Sequence, residues 1–320
     1  MTEFIPTDDG QDDGQTSSDG ASADFRCGYV ALVGRPNVGK STLMNRILGQ
    51  KVSIVTAKPQ TTRQQVAGIK TTPEGQVIYL DTPGIHAAAG RALSRYMNRI
   101  AQAAVADVDL VLFLIEADRW TRQDEHVVRA LGSTNVPIIL VVNKIDQVPD
   151  KAKLLVFLEQ KVDTSRFEQV LLISARKGDG VKDLEKLVFR KLPFSRPYFD
   201  EDQFTDRSER FLAAELIREQ LMVRLHQELP YALTVEIEEF KRDGALLRLS
   251  AIIWVERKGQ KQIVIGKGGT VLKQVGSKAR KELEDLFEQK VFLKLWVKVS
   301  PDWSDNEKFL RQLGFDERTG

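Results

Sequence analysis

The sequence contains Gly34-Arg-Pro-Asn-Val-Gly-Lys-Ser41 between an apolar run at 28–34 and a segment of helical periodicity. A glycine, four residues and then Gly-Lys-Ser form the pattern of a phosphate-binding loop, whose setting is a strand before and a helix after. Backbone N–H groups at such a helix start form a cradle for anions. The pattern predicts that Lys40 reaches the terminal phosphates and that Ser41 ligates Mg²⁺. We expect nucleotide contacts from Gly34, Asn37, Val38, Gly39, Lys40, Ser41 and Thr42.

The segments around this loop alternate between short apolar or β-branched runs and amphipathic stretches. The strand-like runs are 28–34, 64–71, 76–81, 109–116, 137–142 and 169–174. The helical stretches are 91–106, 121–131 and 180–190. Strands that alternate with helices predict an α/β fold with a wound, mostly parallel sheet. The turn Thr72-Pro-Glu-Gly75 fits a hairpin, which predicts one antiparallel edge strand.

Two further segments carry groups that would respond to the γ-phosphate. Asp81-Thr-Pro-Gly84 ends a predicted strand, where Asp81 would hold Mg²⁺ through water and the Gly84 N–H would sense the γ-phosphate. The polar segment 56–64 is the natural first switch loop and offers Thr62 or Thr61 to Mg²⁺. The expected catalytic residues are Lys40, Thr62 and Gly84, and the expected metal-site residues are Ser41, Thr62 and Asp81.

A third motif, Asn143-Lys-Ile-Asp146, follows an apolar strand and selects the base. The Asp146 carboxylate can accept both N–H groups on the N1/N2 edge of guanine, whereas adenine has no such donor pair. Because adenine would leave this buried carboxylate unpaired, the site should favour guanine over adenine by roughly 10⁴–10⁵-fold. Asn143 would help fix the base and Lys144 would lie along the ring, while Ser174-Ala175 ends another strand with the Ala175 N–H directed at guanine O6. These elements predict GTP and GDP as the nucleotides.

Composition and charge narrow the class of protein. The chain has 320 residues, enough for about two domains. The single cysteine, Cys27, excludes an internal disulfide and favours a reducing compartment, and we expect it to be buried and inert. No run of about 18 apolar residues occurs, so no segment is expected to span a membrane. Residues 1–27 hold seven acids against one base and predict a disordered acidic leader.

The periodicity changes at about residue 192, where two prolines and an acidic cluster predict a linker at 193–207 after a nucleotide-binding domain at 28–192. The expected elements that follow are a helix at 208–228, strands at 231–240 and 246–257, helices at 270–276 and 277–289, and a strand at 291–299. This α-β-β-α-α-β order predicts a smaller α+β domain at 208–300, with a tail at 301–320.

A glycine-rich turn, Gly266-Lys-Gly-Gly269, lies within that order between apolar residues and a helix. Residues 257–281 hold eight bases and no acid, which favours a polyanion as the partner. In KH domains a turn of this kind clamps four successive nucleotides. The pattern predicts RNA contacts from Arg257, Lys258, Gly266, Lys267, Gly268, Gly269 and Lys273.

The sequence also supports expectations for apolar and basic side chains near these motifs. Those expected in the core of the smaller domain are Ile263, Ile265, Trp254 and Trp296. In the tail, Trp303 and Phe309 either stack on RNA bases or dock the tail onto the domain, and docking is favoured. Those expected to form a solvated basic face on the helix 91–106 are Arg91, Arg95 and Arg99.

Together these motifs resemble the Era family of bacterial GTPases, whose members carry a C-terminal KH domain. The resemblance covers residues 28–300 and extends toward the end of the chain. It is carried by Gly34–Thr42, Gln60-Thr-Thr-Arg63, Asp81-Thr-Pro-Gly84, Asn143-Lys-Ile-Asp146, Ser174-Ala175 and the turn at 266–269. It implies an α/β P-loop GTPase domain followed by a type II KH domain.

The resemblance also implies a function that composition does not. Family members assist assembly of the small (30S) ribosomal subunit by binding 16S rRNA near its 3′ end. They are cytoplasmic, with some peripheral association with the inner membrane, and we expect a monomer. Ile85 stands where Ras-like switches carry a water-orienting glutamine, which implies slow intrinsic hydrolysis. Asn37 matches the asparagine with which similar GTPases bind K⁺, whereas the acidic leader has no counterpart in the family core.

Two other functions fit part of the pattern. A constitutive RNA chaperone with a purely structural nucleotide domain is disfavoured by the intact set Lys40, Ser41, Asp81 and Asp146. A membrane-signalling GTPase whose KH-like part binds protein is disfavoured by the basic surface around the glycine turn. A steep salt dependence of RNA binding would separate the membrane-signalling function from RNA recognition.

Overall fold

The computed structural model describes residues 24–84, 90–132, 134–150, 152–227 and 229–315. The predicted leader lies mostly outside the described residues, and Ile85 lies outside them entirely. Within the described part of the chain, no helix combines the length and apolar composition that crossing a bilayer requires.

Six strands of the first half form one sheet: β1 Arg26–Val33, β2 Val66–Thr72, β3 Gly75–Asp81, β4 Leu110–Glu116, β5 Ile138–Asn143 and β6 Gln169–Leu172. Their order in the sheet is β2-β3-β1-β4-β5-β6. All neighbours are parallel except β2 and β3, whose hairpin pairs Thr72 with Gly75. The predicted mostly parallel sheet with one antiparallel edge strand is therefore confirmed.

Among the described residues, five helices accompany this sheet: α1 Lys40–Leu48, α2 Ala92–Ala103, α3 Arg122–Leu131, α4 Ala152–Lys161 and α5 Val181–Lys191. Helices α1 and α5 pack in one apolar core with Val30, whereas α3 and α4 pack in a second core with Ala31. Because successive strand residues point to opposite faces, the two cores cover the two faces of the sheet. Sequence patterning did not identify α4, since exposed Leu155 and Val156 blur its apolar periodicity.

The second half contains α6 Glu209–Arg224, β7 Leu233–Asp243, β8 Leu246–Val255, α7 Lys258–Ile265, α8 Thr270–Phe287, β9 Lys290–Val299 and α9 Glu307–Gln312. Its three strands form a sheet in the order β7-β8-β9, antiparallel between β7 and β8 and parallel between β8 and β9. Helices α6 and α8 bury Leu216 and Leu283 in the core of this domain. The predicted α+β domain is confirmed.

The helices beside the glycine turn differ from the prediction. Residues 258–265 form α7, and the two helices expected at 270–276 and 277–289 are one continuous helix, α8. Gly276 lies inside α8, where an added Cβ would come within 3.3 Å of Leu295 Cδ1, so the glycine reflects close packing on β9 and does not break the helix. On α7, Val264 is buried and Ile263 is 59% exposed, so the core prediction for Ile263 is wrong.

Trp296 is also not a core residue, because it lies on the outer face of β9 with 48% of its surface exposed. Trp303 in the tail is fully buried, and its Nε1 donates to the Ala232 carbonyl oxygen at 3.1 Å. Phe309 meets the Trp254 ring edge to face at 5.3 Å. The tail therefore docks onto the domain, as favoured from the sequence.

Candidate nucleotide site and RNA interface

The phosphate loop joins β1 to α1, and two of its glycines cannot be replaced without a clash. Gly39 has φ of 105°, and an added Cβ would lie 2.3 Å from Asn143 Nδ2. An added Cβ at Gly34 would lie 2.5 Å from the Leu114 carbonyl oxygen. These two positions need glycine for packing as well as for backbone conformation. The loop therefore has the geometry of an anion cradle at a helix start.

Lys40 is buried beneath this loop. Its Nζ donates to the carbonyl oxygens of Gly34 at 2.9 Å and Arg35 at 3.2 Å. Burial lowers the pKa of Lys40 to about 8, although the negative charge of Asp81 acts in the opposite direction. A buried ammonium favours a strongly anionic ligand, because phosphate oxygens offer better compensation than two carbonyls.

Asp81 is the centre of a buried cluster of oxygen atoms. Its Oδ2 accepts hydrogen bonds from Ser41 Oγ at 2.6 Å, Ser53 Oγ at 2.7 Å and Thr62 Oγ1 at 3.2 Å. Burial raises the pKa of Asp81 above its ordinary value, opposed by Lys40 and the three hydroxyl donors. Its Oδ1 is buried with no hydrogen-bond partner. Hard oxygen donors around an unpartnered carboxylate oxygen fit the preferences of Mg²⁺.

The same cluster distinguishes between the two threonines of the first switch loop. Thr62 is buried, and its Oγ1 lies 3.0 Å from Ser41 Oγ. Thr61 Oγ1 instead bonds within the loop, to Thr56 Oγ1 and to the Lys58 carbonyl oxygen, both at 2.7 Å. Thr62 therefore belongs to the oxygen cluster around Asp81, and Thr61 does not.

Gly84, after β3, packs against the phosphate loop. An added Cβ there would lie 2.7 Å from the Pro36 backbone nitrogen. This close approach brings the second switch segment beside Lys40, in a cleft of about 750 Å³ that both residues line with Ser41 and Thr62. His86, the histidine nearest to this segment, lies outside the described residues.

The base-recognition residues are joined by the Asn143 side chain. Its Nδ2 donates to the Val38 carbonyl oxygen at 2.8 Å, and its Oδ1 accepts from the Ala175 N–H at 2.9 Å. Ser174 Oγ donates to Asp146 Oδ1 at 2.7 Å, which orients that carboxylate. The structure thus brings three loops together at the ends of β1, β5 and β6. The guanine contacts of Asp146 and Ala175 remain predictions.

Sequence patterning missed an ion-pair network beside the base motif. Arg35 Nη2 lies 2.6 Å from Glu116 Oε2, and Lys144 Nζ lies 3.1 Å from Glu116 Oε1. Arg35 Nε also pairs with buried Asp124 at 3.1 Å. Although burial acts to raise it, these cations lower the pKa of Glu116. In the sequence, the one indication of this network is the carboxylate of Glu116 at the end of β4, because its partners are distant along the chain.

The first switch loop is attached directly to the KH-like domain. Arg63 is buried, and its guanidinium donates to the carbonyl oxygens of Leu233 at 2.7 Å, Pro230 at 3.1 Å and Tyr231 at 3.1 Å. Burial and neighbouring Arg218 lower the pKa of Arg63 to about 9, which leaves it charged at neutral pH. Arg63 follows Thr62 in the chain, so one short segment contacts both the oxygen cluster around Asp81 and the second domain.

Helix α6 supplies the other half of this junction. Arg218 donates to the Thr61 carbonyl oxygen, and Glu219 Oε1 accepts from the Val55 N–H at 2.9 Å. Lys51 pairs with Glu219 and, at 2.8 Å, with Glu282 of α8. Glu219 is buried although Lys51 is half-exposed, so removal of Lys51 would be costly because it takes a partner from a buried charge. The junction is therefore specific in its geometry.

A second junction joins α2 to the tail. Arg91 pairs with Glu256 at 2.7 Å, and the Ala92 N–H donates to Asp305 Oδ1 at 2.8 Å. Met97 and Trp303 are buried in one apolar cluster that includes residues from α2 and the tail. Arg91 is thus an interdomain contact that the prediction of a solvated face did not include, although half of its side chain remains exposed. The first switch loop, and the helix that follows the Asp81–Gly84 motif, thus both contact the second half of the chain.

The glycine turn at 266–269 lies between α7 and α8, with its basic residues on the surface. Gly268 has φ of 59° and Gly269 has φ of 76°, and an added Cβ at either would meet nothing within 4 Å. The side chains of Lys267, Lys273, Arg257 and Lys258 are exposed. Gly269 and Lys273 line a cleft of about 560 Å³ between α8 and β9. This arrangement provides an open, basic groove in which a polynucleotide backbone can approach the glycines.

Comparisons with known proteins agree with both halves of this description. A family model described as 50S ribosome-binding GTPase matches residues 29–144, and one described as KH domain matches residues 228–304. GTPase Era of Pseudomonas aeruginosa is 52% identical over 299 residues, 93% of this chain and 98% of that protein. GTPase Era of Coxiella burnetii is 51% identical over 291 residues, 91% of this chain and 98% of that protein.

Two solved structures share the whole architecture. A crystal structure of Era with MgGDPNP and nucleotides 1506–1542 of 16S ribosomal RNA matches with a TM-score of 0.87 and 40% identity, covering 91% of this chain and 99% of that one. An Aquifex aeolicus Era variant bound to GDP·AlF4⁻ matches with a TM-score of 0.88 and 40% identity, with the same coverage.

Proposed function

This chain belongs to the Era family of GTPases, and on that premise we propose that it is a GTP-driven switch that binds 16S rRNA near the 3′ end. In this proposal the hydrolysis of GTP times the release of rRNA during assembly of the small ribosomal subunit. The proposal rests mainly on one observation. The segment Thr61–Arg63 contacts the metal-site cluster on one side and the KH domain on the other.

The nucleotide half of the proposal assigns a role to each group in the cleft. Lys40 and the loop N–H groups would bind the β- and γ-phosphates, and Asp146 with Ala175 would select guanine. Ser41, Thr62 and Asp81 would hold Mg²⁺, which neutralises charge on the transferring phosphoryl group. Asn37 Nδ2 donates to the Ala57 carbonyl oxygen at 2.9 Å, so a K⁺ ion at Asn37 would sit between the phosphate loop and the first switch loop.

Coupling between the nucleotide and RNA binding would follow from the contacts that the two switch loops lose when the γ-phosphate leaves. Thr62 and Gly84 would then lose their ligands, and the segments attached to them would be free to shift. Arg63 would carry the displacement to residues 230–233, and Arg91 would carry it to Glu256 and the tail. A ligand shifts such an equilibrium only by its differential affinity for the two arrangements, so RNA affinity must differ between the GTP and GDP states.

The RNA half assigns the groove at the glycine turn to single-stranded rRNA. Gly266, Gly268 and Gly269 would admit the backbone, with charge supplied by Arg257, Lys258, Lys267 and Lys273. We also propose a cytoplasmic monomer, with any membrane association confined to peripheral contact at the inner membrane.

The deciding experiment is crosslinking and sequencing of bound RNA from cells, comparing wild type with Gly268→Asp. The matched control is Gly244→Asp, because Gly244 has φ of 55°, close to the 59° of Gly268, and equally open space around an added Cβ. Recovery at the 3′ end of 16S rRNA should be lost only in Gly268→Asp. Dispersed RNA, or equal recovery in both variants, would contradict the rRNA assignment.

A parallel measurement tests the coupling. RNA affinity is measured with a non-hydrolysable GTP analogue and with GDP, using the same protein and salt concentration. Equal affinities would refute the switch and would favour a constitutive RNA chaperone with a structural nucleotide domain.

A further inference from the structure

The outer face of the KH-domain sheet carries an aromatic and basic stripe that begins at the glycine-turn groove and extends beyond it along β9. The exposed positions of β9 are Lys290, Phe292, Lys294, Trp296 and Lys298, so three lysines alternate with two aromatic rings. Phe292 and Trp296 are 52% and 48% exposed. Large aromatic rings exposed on an edge strand favour aggregation unless a partner covers them, so we expect the stripe to bind a partner.

The cations of the stripe lie against its rings. Lys294 Nζ is 4.8 Å from the centroid of the Trp296 ring, and Arg248 Cζ on β8 is 5.9 Å from that of Phe292. Three acids of β7 contact this face: Glu236 accepts from Trp254 Nε1 at 2.7 Å, Glu238 lies 3.8 Å from Lys298 Nζ, and Asp243 pairs with Arg248 Nε at 3.1 Å. The β9 half of the face therefore presents positive charge and ring surface together.

The tail divides this face into a covered end and an open end. Phe309 packs on Trp254, which closes the end nearest the nucleotide domain. No such cover lies over Phe292 and Trp296 among the described residues, as their exposure shows. Phe292 also lines the cleft beside Gly269 and Lys273, so the stripe is continuous with the groove at the glycine turn.

We infer that the outer face of β9 is a second contact site for single-stranded RNA, which continues from the glycine-turn groove around the edge of the sheet. Bases would stack on Phe292 and Trp296, and phosphates would be neutralised by the intervening lysines. Protein interfaces are depleted in lysine at their centres, so a protein partner fits this alternation less well. The inference rests on the proposed function, because it presumes that the groove binds RNA.

The test compares two oligonucleotides taken from nucleotides 1506–1542 of 16S rRNA, the segment bound by the solved relative. One has about five nucleotides, enough for the four-nucleotide clamp of the groove, and the other is a single-stranded piece of about twelve. Affinities are measured by fluorescence anisotropy for wild type and Trp296→Ala. The matched control is Phe194→Ala, which removes a ring 59% exposed outside the KH domain.

Trp296→Ala should weaken binding of the longer oligonucleotide about tenfold and leave the shorter one unchanged. Trp296→Phe should retain most of the affinity, and Phe194→Ala should behave as wild type. The longer oligonucleotide should quench tryptophan emission in wild type, and the part of this quenching that comes from Trp296 should be absent in Trp296→Phe.

Three outcomes would overturn the inference. Equal affinity of wild type and Trp296→Ala for the longer oligonucleotide would refute RNA binding by the stripe and would favour a protein as its partner. An equal loss for both lengths would show that the substitution disturbs the groove. If wild type bound neither oligonucleotide, the proposed rRNA function would fail together with the inference.

Discussion

The phosphate loop and the glycine turn of the KH domain look alike in sequence but differ in what surrounds them. Each places a lysine beside glycines where a helix begins. In the first, Lys40 is buried and an added Cβ at Gly39 meets Asn143. In the second, Lys267 is exposed and an added Cβ at Gly268 meets nothing. Gly39 is thus required by the packing of the protein itself, whereas Gly268 leaves space for a ligand. Gly266, at the start of the second turn, resembles Gly39, because an added Cβ there would lie 2.5 Å from Val271 Cγ2.

The sharpest test of this difference is Gly39→Ala against Gly268→Ala. Gly39→Ala should reduce GDP affinity at least about 100-fold, because the methyl group clashes with Asn143 and φ is unfavourable. Gly268→Ala should leave GDP affinity unchanged and cost the fold about 1 kcal/mol, from its positive φ alone. Titration with a fluorescent GDP analogue and thermal unfolding measure the two effects. Similar GDP affinities for the two variants would contradict the comparison.

Asp81→Asn removes charge from the oxygen cluster while keeping its shape. Because Asp81 would hold Mg²⁺ through water, we expect GTP hydrolysis to fall about 10–100-fold at limiting Mg²⁺. Excess Mg²⁺ should restore part of the rate. RNA affinity without nucleotide should be unaffected, since the glycine turn lies in the other domain. A rate independent of Mg²⁺ concentration in both proteins would refute the metal assignment.

Arg63→Met tests the connection between the two turns. It leaves three carbonyl oxygens of residues 230–233 without their donor, which should cost about 1–3 kcal/mol of stability. The ratio of RNA affinities in the GTP and GDP states should fall toward one, while the GDP affinity of the nucleotide domain persists. Lys70→Met, which removes the half-buried partner of Glu185 within the nucleotide domain, is the control and should keep the wild-type ratio. An unchanged ratio in Arg63→Met would remove this arginine from the coupling.

The smallest expected effect concerns the proton on Lys40. Its pKa is lowered in the folded, nucleotide-free protein to about 8, against 10.5 ordinarily. The unfolded chain therefore binds more protons than the folded chain between these values, and stability without nucleotide should rise with pH across that window. GDP binding should take up about half a proton at pH 8 and much less at pH 7. Calorimetry in buffers of different ionisation enthalpy measures this, and equal uptake at both pH values would contradict it.

Motifs of consecutive residues were predictable, whereas contacts between distant residues were not. The roles proposed for Lys40, Asp81 and Asp146 follow from local patterns that the fold brings to one edge of the sheet. The Arg35–Glu116 pair and the contacts of Arg63 join residues separated by 81 and 170 positions. No local pattern identifies such partners, because they depend on how the domains pack.

The regions beside the glycine turn show a second limit. Trp296 and Ile263 were expected in the core because they are apolar, yet both are exposed. Hydrophobicity alone does not distinguish a core residue from one at a ligand surface. Helix α7 was missed because Gly259 and the polar residues around it obscure its one buried position, Val264. Pattern analysis thus located the glycine turn and its basic residues but misassigned the apolar side chains beside them.

Trp303 has a consequence for the order in which the molecule is assembled. It packs beside α2 and donates to the Ala232 carbonyl oxygen, yet it is synthesised after both. Because domains fold from the N-terminus during synthesis, the nucleotide domain can fold while this contact is still missing. The second junction between the two halves closes only once residues 301–315 have emerged. A nascent chain therefore acquires a GTP site before it acquires the second of the two junctions through which the nucleotide would govern RNA binding.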